Sequence, residues 1–585
     1  MKLRLLLLTV LAFATASLLA FRFNDYGNQK DQKKNIAITT FLPQKSKTII
    51  RCGPDWEQLR GYLEENSIPP IAGAGTHKWK ITTYKDSAQF YFNQGINMYY
   101  SFHIIESMAS FKKAASFDPN SAMLQWAQAL AYGPNINDVG YAASPDALQA
   151  TNKAKELSAN CNSREKMLIE AMLARYSADS TQSREKLNQL YVDKMKAAYS
   201  VFPNDADIAA LYADALMLQH PWDLWSIDGT PKPWTPEIRT ILEKLLLKFP
   251  NHPGANHYYI HVMEPSPYFA KALPSADRLG KITPALSHTV HMPSHIYLRV
   301  GQYDKGVMVN ERAVNSYKKM IPAYGAVTGN DFLYLIHNVH MQTNNAMLAG
   351  KSDASLKAAK ATAESISDDY LAFPGGLGNY IQYVYMTPVL VDIRFGNWEE
   401  LLRRDPPKSI YTYATLLDHF GKGMAYAGYQ RPVEANDQLK QLRELMKDSS
   451  LYAPFSPFSP AIDGAKIAEH LLAGSIALVN KNYTDAIDHF KEASAIEENM
   501  VYNEPRDWML NPKHYLGFAY LKAGQYADAE KIFQKDLLNN NDNVWALIGL
   551  YQSLINQKKK EAVVVKLKME AAKKKADLVM VDPVF

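Results

Sequence analysis

Residues 510–533 read LNPKHYLGFAYLKAGQYADAEKIF. Counting Leu510 as 1, small residues fall at 8, 15 and 20 (Gly517, Gly524, Ala529) and aromatic ones at 11, 17 and 24 (Tyr520, Tyr526, Phe533). This spacing suits two antiparallel helices joined by a short turn. They approach closely only where both carry small side chains, and the rings fill the wider gaps. The same order recurs in Gly474, Ala477, Tyr483, Ala486, Phe490 and Ala493, and far upstream in Gly95, Phe111, Ala114 and Pro119. Weaker copies surround Gly301-Gln302-Tyr303, Gly350 and Gly396-Asn397-Trp398.

The pattern resembles the tetratricopeptide repeat, a helix–turn–helix unit of 34 residues. The resemblance spans most of residues 85–550. It implies an all-α solenoid, a right-handed superhelix whose concave groove is lined by positions 2, 5, 9 and 12 of each first helix. The periodicity agrees: apolar residues recur at three- and four-residue spacing, broken by Pro, Gly and Asn-Asp turns. The chain also resembles a bacterial family of such repeat proteins, in Tyr91-Phe92-Asn93-Gln94-Gly95, Gly133-Pro134-Asn135-Ile136-Asn137, His291-Met292-Pro293-Ser294-His295-Ile296-Tyr297 and Glu504-Pro505-Arg506-Asp507-Trp508. That resemblance implies a fold and no chemistry. Its members usually carry a Phe-Asn-His sequence where this chain has Phe102-His103, so His103 fits loosely and reads as a helix-turn residue. Trp126, Asn135, Asn137, Arg506 and Trp508 read as turn and packing residues.

The 585 residues divide by composition. Residues 1–21 read as a signal peptide or N-terminal anchor, because Lys2 and Arg4 precede an apolar run with a small-x-small site at Ala14-Thr15-Ala16. The expected location is therefore periplasmic or secreted, with membrane attachment only if the segment stays uncleaved. Residues 22–50 form a polar linker and 51–84 an irregular segment. Then come N-terminal helical repeats over 85–250, His-rich central repeats over 251–380, helical repeats over 381–460, and C-terminal repeats with a helical tail over 461–585. Cys52 and Cys161 are either one disulfide or two separate thiols. A net charge of +5 is small for this length. The runs Lys558–Lys560 and Lys573–Lys575 lie in a polar helical tail, which does not indicate a nucleic-acid partner.

Of 15 histidines, eight lie between His252 and His340, where an even spread gives about two. Seven of them fall in three groups: His257 and His261 with Glu264; His288, His291 and His295; and His337 with His340. At about 100° per residue, each group occupies an arc of roughly 60° on a continuous helix. The repeat register agrees. With Gly301 at position 15, His288, His291 and His295 fall at 2, 5 and 9; with Gly350 there, His337, His340 and Asn344 do. One 34-residue step back from His291 is His257, which puts His261 at 9 and Glu264 at 12. Pro293 interrupts the middle group and biases Met292 away from helical angles, so a helix start near Pro293 is the alternative there.

Imidazoles converging from separate helices suit a divalent transition metal, Zn, Cu or Fe. The candidate ligands are His257, His261, Glu264, His288, His291, His295, His337 and His340; their number allows two ions or one ion with supporting histidines. Glu264 is a ligand or a general base if the site is catalytic. The zincin motif, a Gly-rich phosphate loop, a Gly-x-Ser-x-Gly elbow and a Cys-x-x-Cys pair are all missing. Two functions compete: a metal site, enzymatic or metal-binding, and a non-catalytic scaffold that binds a protein or peptide partner in its groove.

Overall fold

Three glycine–phenylalanine pairs build the repeats. In the computed structural model a Cβ added to Gly517 would lie 2.4 Å from the Phe533 ring; on Gly474 it would lie 2.5 Å from Phe490, and on Gly95 2.5 Å from Phe111. Each pair joins position 8 of a first helix to position 24 of the second. The helices concerned are Pro512–Lys522 with Tyr526–Asn539, Ala461–Val479 with Tyr483–Asn499, and Asp86–Tyr99 with Ile104–Phe117. Only a residue without a side chain admits the ring so close to the helix backbone.

The structure describes residues 54, 56–65, 67–138, 141–324, 330–504 and 508–585, all within the unit Lys45–Phe585. The expected signal or anchor, the polar linker, Cys52 and Arg506 lie outside the described residues. The fold is an all-α helix–turn–helix solenoid in which consecutive helices pack in pairs along the chain. Among the described residues the β contacts are two isolated bridges, Trp225 with Pro231 and Phe455 with Phe458. No helix there is long and apolar enough to cross a membrane. A helix, Trp56–Glu65, forms inside the stretch expected to be irregular, because Trp56, Leu59 and Leu63 bury one face. Cys161 is buried, and burial pushes its thiol up to about 11 with Glu165 beside it.

Position 15 closes each first helix in the left-handed region. Gly301, Gly350, Gly396 and Gly524 hold φ of 75°, 72°, 69° and 73° there. Phe102 occupies the same position after Asp86–Tyr99, at φ 55°. A bulky side chain is strained in that region. Around Pro293 the helix divides into Ser287–His291 and Pro293–Arg299, yet Met292 keeps φ −47° and ψ −36°. The expected departure from helical angles does not occur. Met292 N–H still reaches the His288 carbonyl at 3.0 Å, so the turn runs through.

Repeats far apart in sequence also touch. Tyr303 Oη donates to the Asn541 carbonyl at 2.8 Å, and Asn541 Nδ2 to the Arg299 carbonyl at 2.8 Å. Trp545 Nε1 donates to the Met347 carbonyl at 2.8 Å. A simple solenoid contacts only its neighbours. Here the C-terminal repeats lie against the central ones, and the segment before Pro512–Lys522 reaches the histidines.

Candidate metal centre

The first and third histidine groups each sit on one helix, and the middle group spans two. His257 and His261 belong to Pro253–Met263, His288 and His291 to Ser287–His291, His295 to Pro293–Arg299, and His337 and His340 to Asn330–Leu348. Their side chains sort into two trios. His257, His261 and His288 bring one ligand atom each within 4.8 Å of one another; so do His291, His295 and His337. The middle group is thus shared, with His288 in the first trio and His291 and His295 in the second. All six are buried except His337, which is partly covered.

The ring nitrogens have distinct roles. His257 Nδ1 lies 2.7 Å from the Tyr100 carbonyl, which only accepts, so that nitrogen carries the proton. His291 Nδ1 donates to Asn310 Oδ1 at 2.6 Å, and Asn310 Nδ2 is fixed by the Gly306 carbonyl at 2.8 Å. His261 Nδ1 meets Glu264 Oε1 at 3.0 Å, and His295 Nδ1 meets Glu264 Oε2 at 2.7 Å. With Nδ1 engaged outward, Nε2 points inward. His257 Nε2 stands 3.1 Å from His261 Nε2 and 3.1 Å from His288 Nε2, and His291 Nε2 is 2.7 Å from His295 Nε2. Nitrogens this close share either a proton, as an N–H···N hydrogen bond, or a cation. Two imidazoles on one tetrahedral zinc, at about 2.0–2.1 Å each, place their nitrogens about 3.3 Å apart.

The titrations follow from burial and neighbours. Burial, with adjacent imidazoles adding to it, holds His257, His288, His291 and His337 well below the usual imidazole range. Burial acts the same way on His261, but hydrogen bonds to Glu264 and Glu504 outweigh it and push the ring up to about 9. His295 is raised against burial by the charges of Glu264 and Glu504. Burial opposes charge on Glu264 too, yet His295 and His261 hold its carboxyl well below the usual carboxylate range.

Glu264 therefore stands behind both trios and touches the outer nitrogen of one ring in each. A carboxylate there fixes ring orientation and raises ligand basicity. Arg299 donates to its backbone carbonyl at 2.8 Å, and Tyr502 Oη to its Oε2 at 2.8 Å. Glu504 Oε1 lies 3.0 Å from His261 Nδ1, and its Oε2 lies 3.6 Å from His337 Nε2. Sequence reasoning placed Glu504 in a family segment without a role and did not single out Tyr502. Their separation of about 240 residues from Glu264 hid both. Phe102 was also missed. Its ring lies over His257, His261 and His288, with centroids at 4.4, 5.9 and 5.4 Å, so the strained position 15 forms one wall of the first trio. Trp222 meets His261 edge-on at 5.6 Å.

His340 stands outside both trios. Three residues beyond His337 it has turned about 60° and risen about 4.5 Å, and its Nε2 faces Met509 Sδ at 3.2 Å. His103 caps Ile104–Phe117, a helix-turn position, with its Nε2 3.5 Å from the His288 amide. Trp126 and Trp508 are buried packing residues, each against a further aromatic ring.

Of three further clusters among the described residues, one, His261 with Glu264 and Glu504, overlaps the first trio, and two differ in kind. At His77, Asp207 and His252, the His252 Nδ1 accepts the Ala255 amide at 3.1 Å. Its proton is then on Nε2, turned toward Asp207, and the group is a hydrogen-bonded helix cap. Glu469, beside His470 and His489, is already bound by Arg443.

No family model and no curated protein matches the chain. Among solved structures, the chain is similar to a human IFIT1 dimer with m7Gppp-AAAA (12% identity, 84% of this chain and 91% of that one, TM-score 0.31). It is also similar to yeast Tom70 (13%, 78% and 92%, 0.26) and to the Cut9 and Hcn1 hetero-tetramer of the APC/C (14%, 90% and 79%, 0.26). None of these likenesses carries a ligand or partner over to this chain.

Proposed function

We propose that the chain is a metalloprotein that holds two transition-metal ions, one in each histidine trio. The observation that carries this reading is the convergence of two histidine trios, in which the Nε2 atoms of His257, His261, His291 and His295 point inward while their Nδ1 atoms are engaged behind them. Three protein ligands per ion leave a coordination position for water or a small reactant, the arrangement of catalytic rather than structural sites. Glu264 serves as the shared carboxylate behind the ligands, not as the base the sequence also allowed, since both its oxygens are engaged by ring nitrogens. Zinc, copper and iron all suit imidazole.

The scaffold alternative is weaker in the central repeats. Positions 2, 5 and 9 there, where a groove would present side chains to a peptide, are buried apart from the partly covered His337. A protein or peptide partner would use other repeats. Elemental analysis of protein purified without a histidine tag, after reconstitution with Zn, Cu or Fe and removal of loose metal, tests the proposal. Two ions per chain are expected. His257→Ala and His291→Ala should each retain one, and a wild type that keeps none refutes it.

A further inference from the structure

The two trios adjoin. Ring centroids of His288 and His291 are 5.9 Å apart, those of His261 and His295 6.3 Å, and Glu264 binds one ring of each trio. His288 and His291 lie less than one helical turn apart on the same short helix and serve opposite trios. Ions held this way would be neighbours, one on each side of the short helix that supplies a ligand to both.

The two trios are made of imidazoles alone; Glu264 and Glu504 meet the outer nitrogens of His261 and His295, and Glu504 also lies 3.6 Å from His337 Nε2. The Arg299 guanidinium turns away, to the Glu264 backbone carbonyl and over the Phe269 ring at 4.4 Å. All-imidazole sets suit copper, and neutral ligands keep its lower charge state accessible in a buried site, because a monovalent ion loses less hydration there than a divalent one. The walls are apolar: Phe102 covers three of the rings, and Trp222, itself 5.8 Å from Phe458, stands at His261. Such a boundary favours a small uncharged molecule over a large polar one.

We infer that the two sites form one copper pair that binds dioxygen between its ions, an inference that rests on the two-ion reading above. Each cuprous ion gives one electron. The dioxygen bond order falls from two to one, copper–oxygen bonds form on both sides, and the product is peroxide held between two cupric ions. No proton is taken up or released, and the total charge of the site is unchanged, which matters where charge is costly to introduce. Copper proteins commonly carry such oxygen chemistry.

The test loads the full chain with copper(I) without oxygen, measures copper per chain, and then admits air-saturated buffer. Expected are uptake of one dioxygen per two coppers in an oxygen electrode, a new near-ultraviolet absorption that zinc-loaded protein lacks, and a cupric product silent in electron paramagnetic resonance because its spins couple. His295→Ala, checked for helicity by circular dichroism, should keep one copper and lose the uptake. A wild type that holds two coppers but takes up no dioxygen, or shows two uncoupled cupric signals, overturns the pairing while leaving the metal reading intact. A wild type that holds no copper but does hold zinc or iron also overturns it. Failure to hold any metal removes both.

Discussion

Glu264 is the side chain on which both trios depend, and its charge is the lever. Glu264→Gln keeps one acceptor but loses the charge that orients His261 and His295. A lost carboxylate behind metal ligands weakens affinity about 10–100-fold. Competition with a chromophoric chelator should show that loss with two ions still bound at saturation; unchanged affinity would remove Glu264 from the centre. Protonation gives a second check. His261 is held near 9, above its ordinary value, so at pH 7 it carries a proton that a metal on Nε2 must displace. Calorimetry in buffers of different ionisation enthalpy should record proton release on binding, and affinity should rise with pH up to about 9. Zero proton release would contradict this. Register alone singles out the six imidazoles of the two trios. It does not show which nitrogen faces inward, because Tyr100 and Glu504, from distant parts of the chain, and Asn310, on a following helix, set that.

At the scale of helices, position 8 and position 15 make different demands on glycine. Gly517→Ala drives a methyl into Phe533 and should destabilise by about 1–3 kcal/mol through overpacking. Gly524→Ala meets no atom within 4 Å and loses only its left-handed freedom, about 1 kcal/mol. Urea unfolding of the two variants should rank them so; the reverse order would mean the repeats are not seated on that ring. The last repeat also holds a buried carboxylate, Asp536, which accepts from Asn511, His514, Asn540 and Asn543. Burial alone would raise it, but the charge and hydrogen bond of His514 lower it to about 2. A depressed carboxyl adds stability above its unfolded value near 3.9 that is lost as pH falls through about 2. Asp536→Asn should flatten the acid limb of the stability profile between those values, and an unaltered limb would place the acid sensitivity elsewhere. These elements were legible in the sequence because small and aromatic residues recur at fixed offsets. At Pro293 a helix does start, the alternative the sequence offered, while the buried Met292 keeps helical angles.

Across the whole molecule, each ion would tie separate helices together. Ligands of the first trio come from Pro253–Met263 and Ser287–His291, and those of the second from Ser287–His291, Pro293–Arg299 and Asn330–Leu348. An ion that binds only the folded chain, at a thousand times its dissociation constant, stabilises by about 4 kcal/mol per site. Calorimetric melting should therefore move up by several degrees on loading and back on chelation, and a melting profile indifferent to metal would argue against ions at this junction. The contact of C-terminal with central repeats was not legible, because a repeat pattern specifies neighbours and says nothing of partners 240 residues away. Diffraction at the metal absorption edge, from crystals of the loaded protein, tests the two-ion centre most directly. Two anomalous peaks are expected, each about 2.0–2.1 Å from one ring nitrogen of every histidine in its own trio; crystals with no peak among the six imidazoles, or with peaks only at His77 or His470, would contradict it.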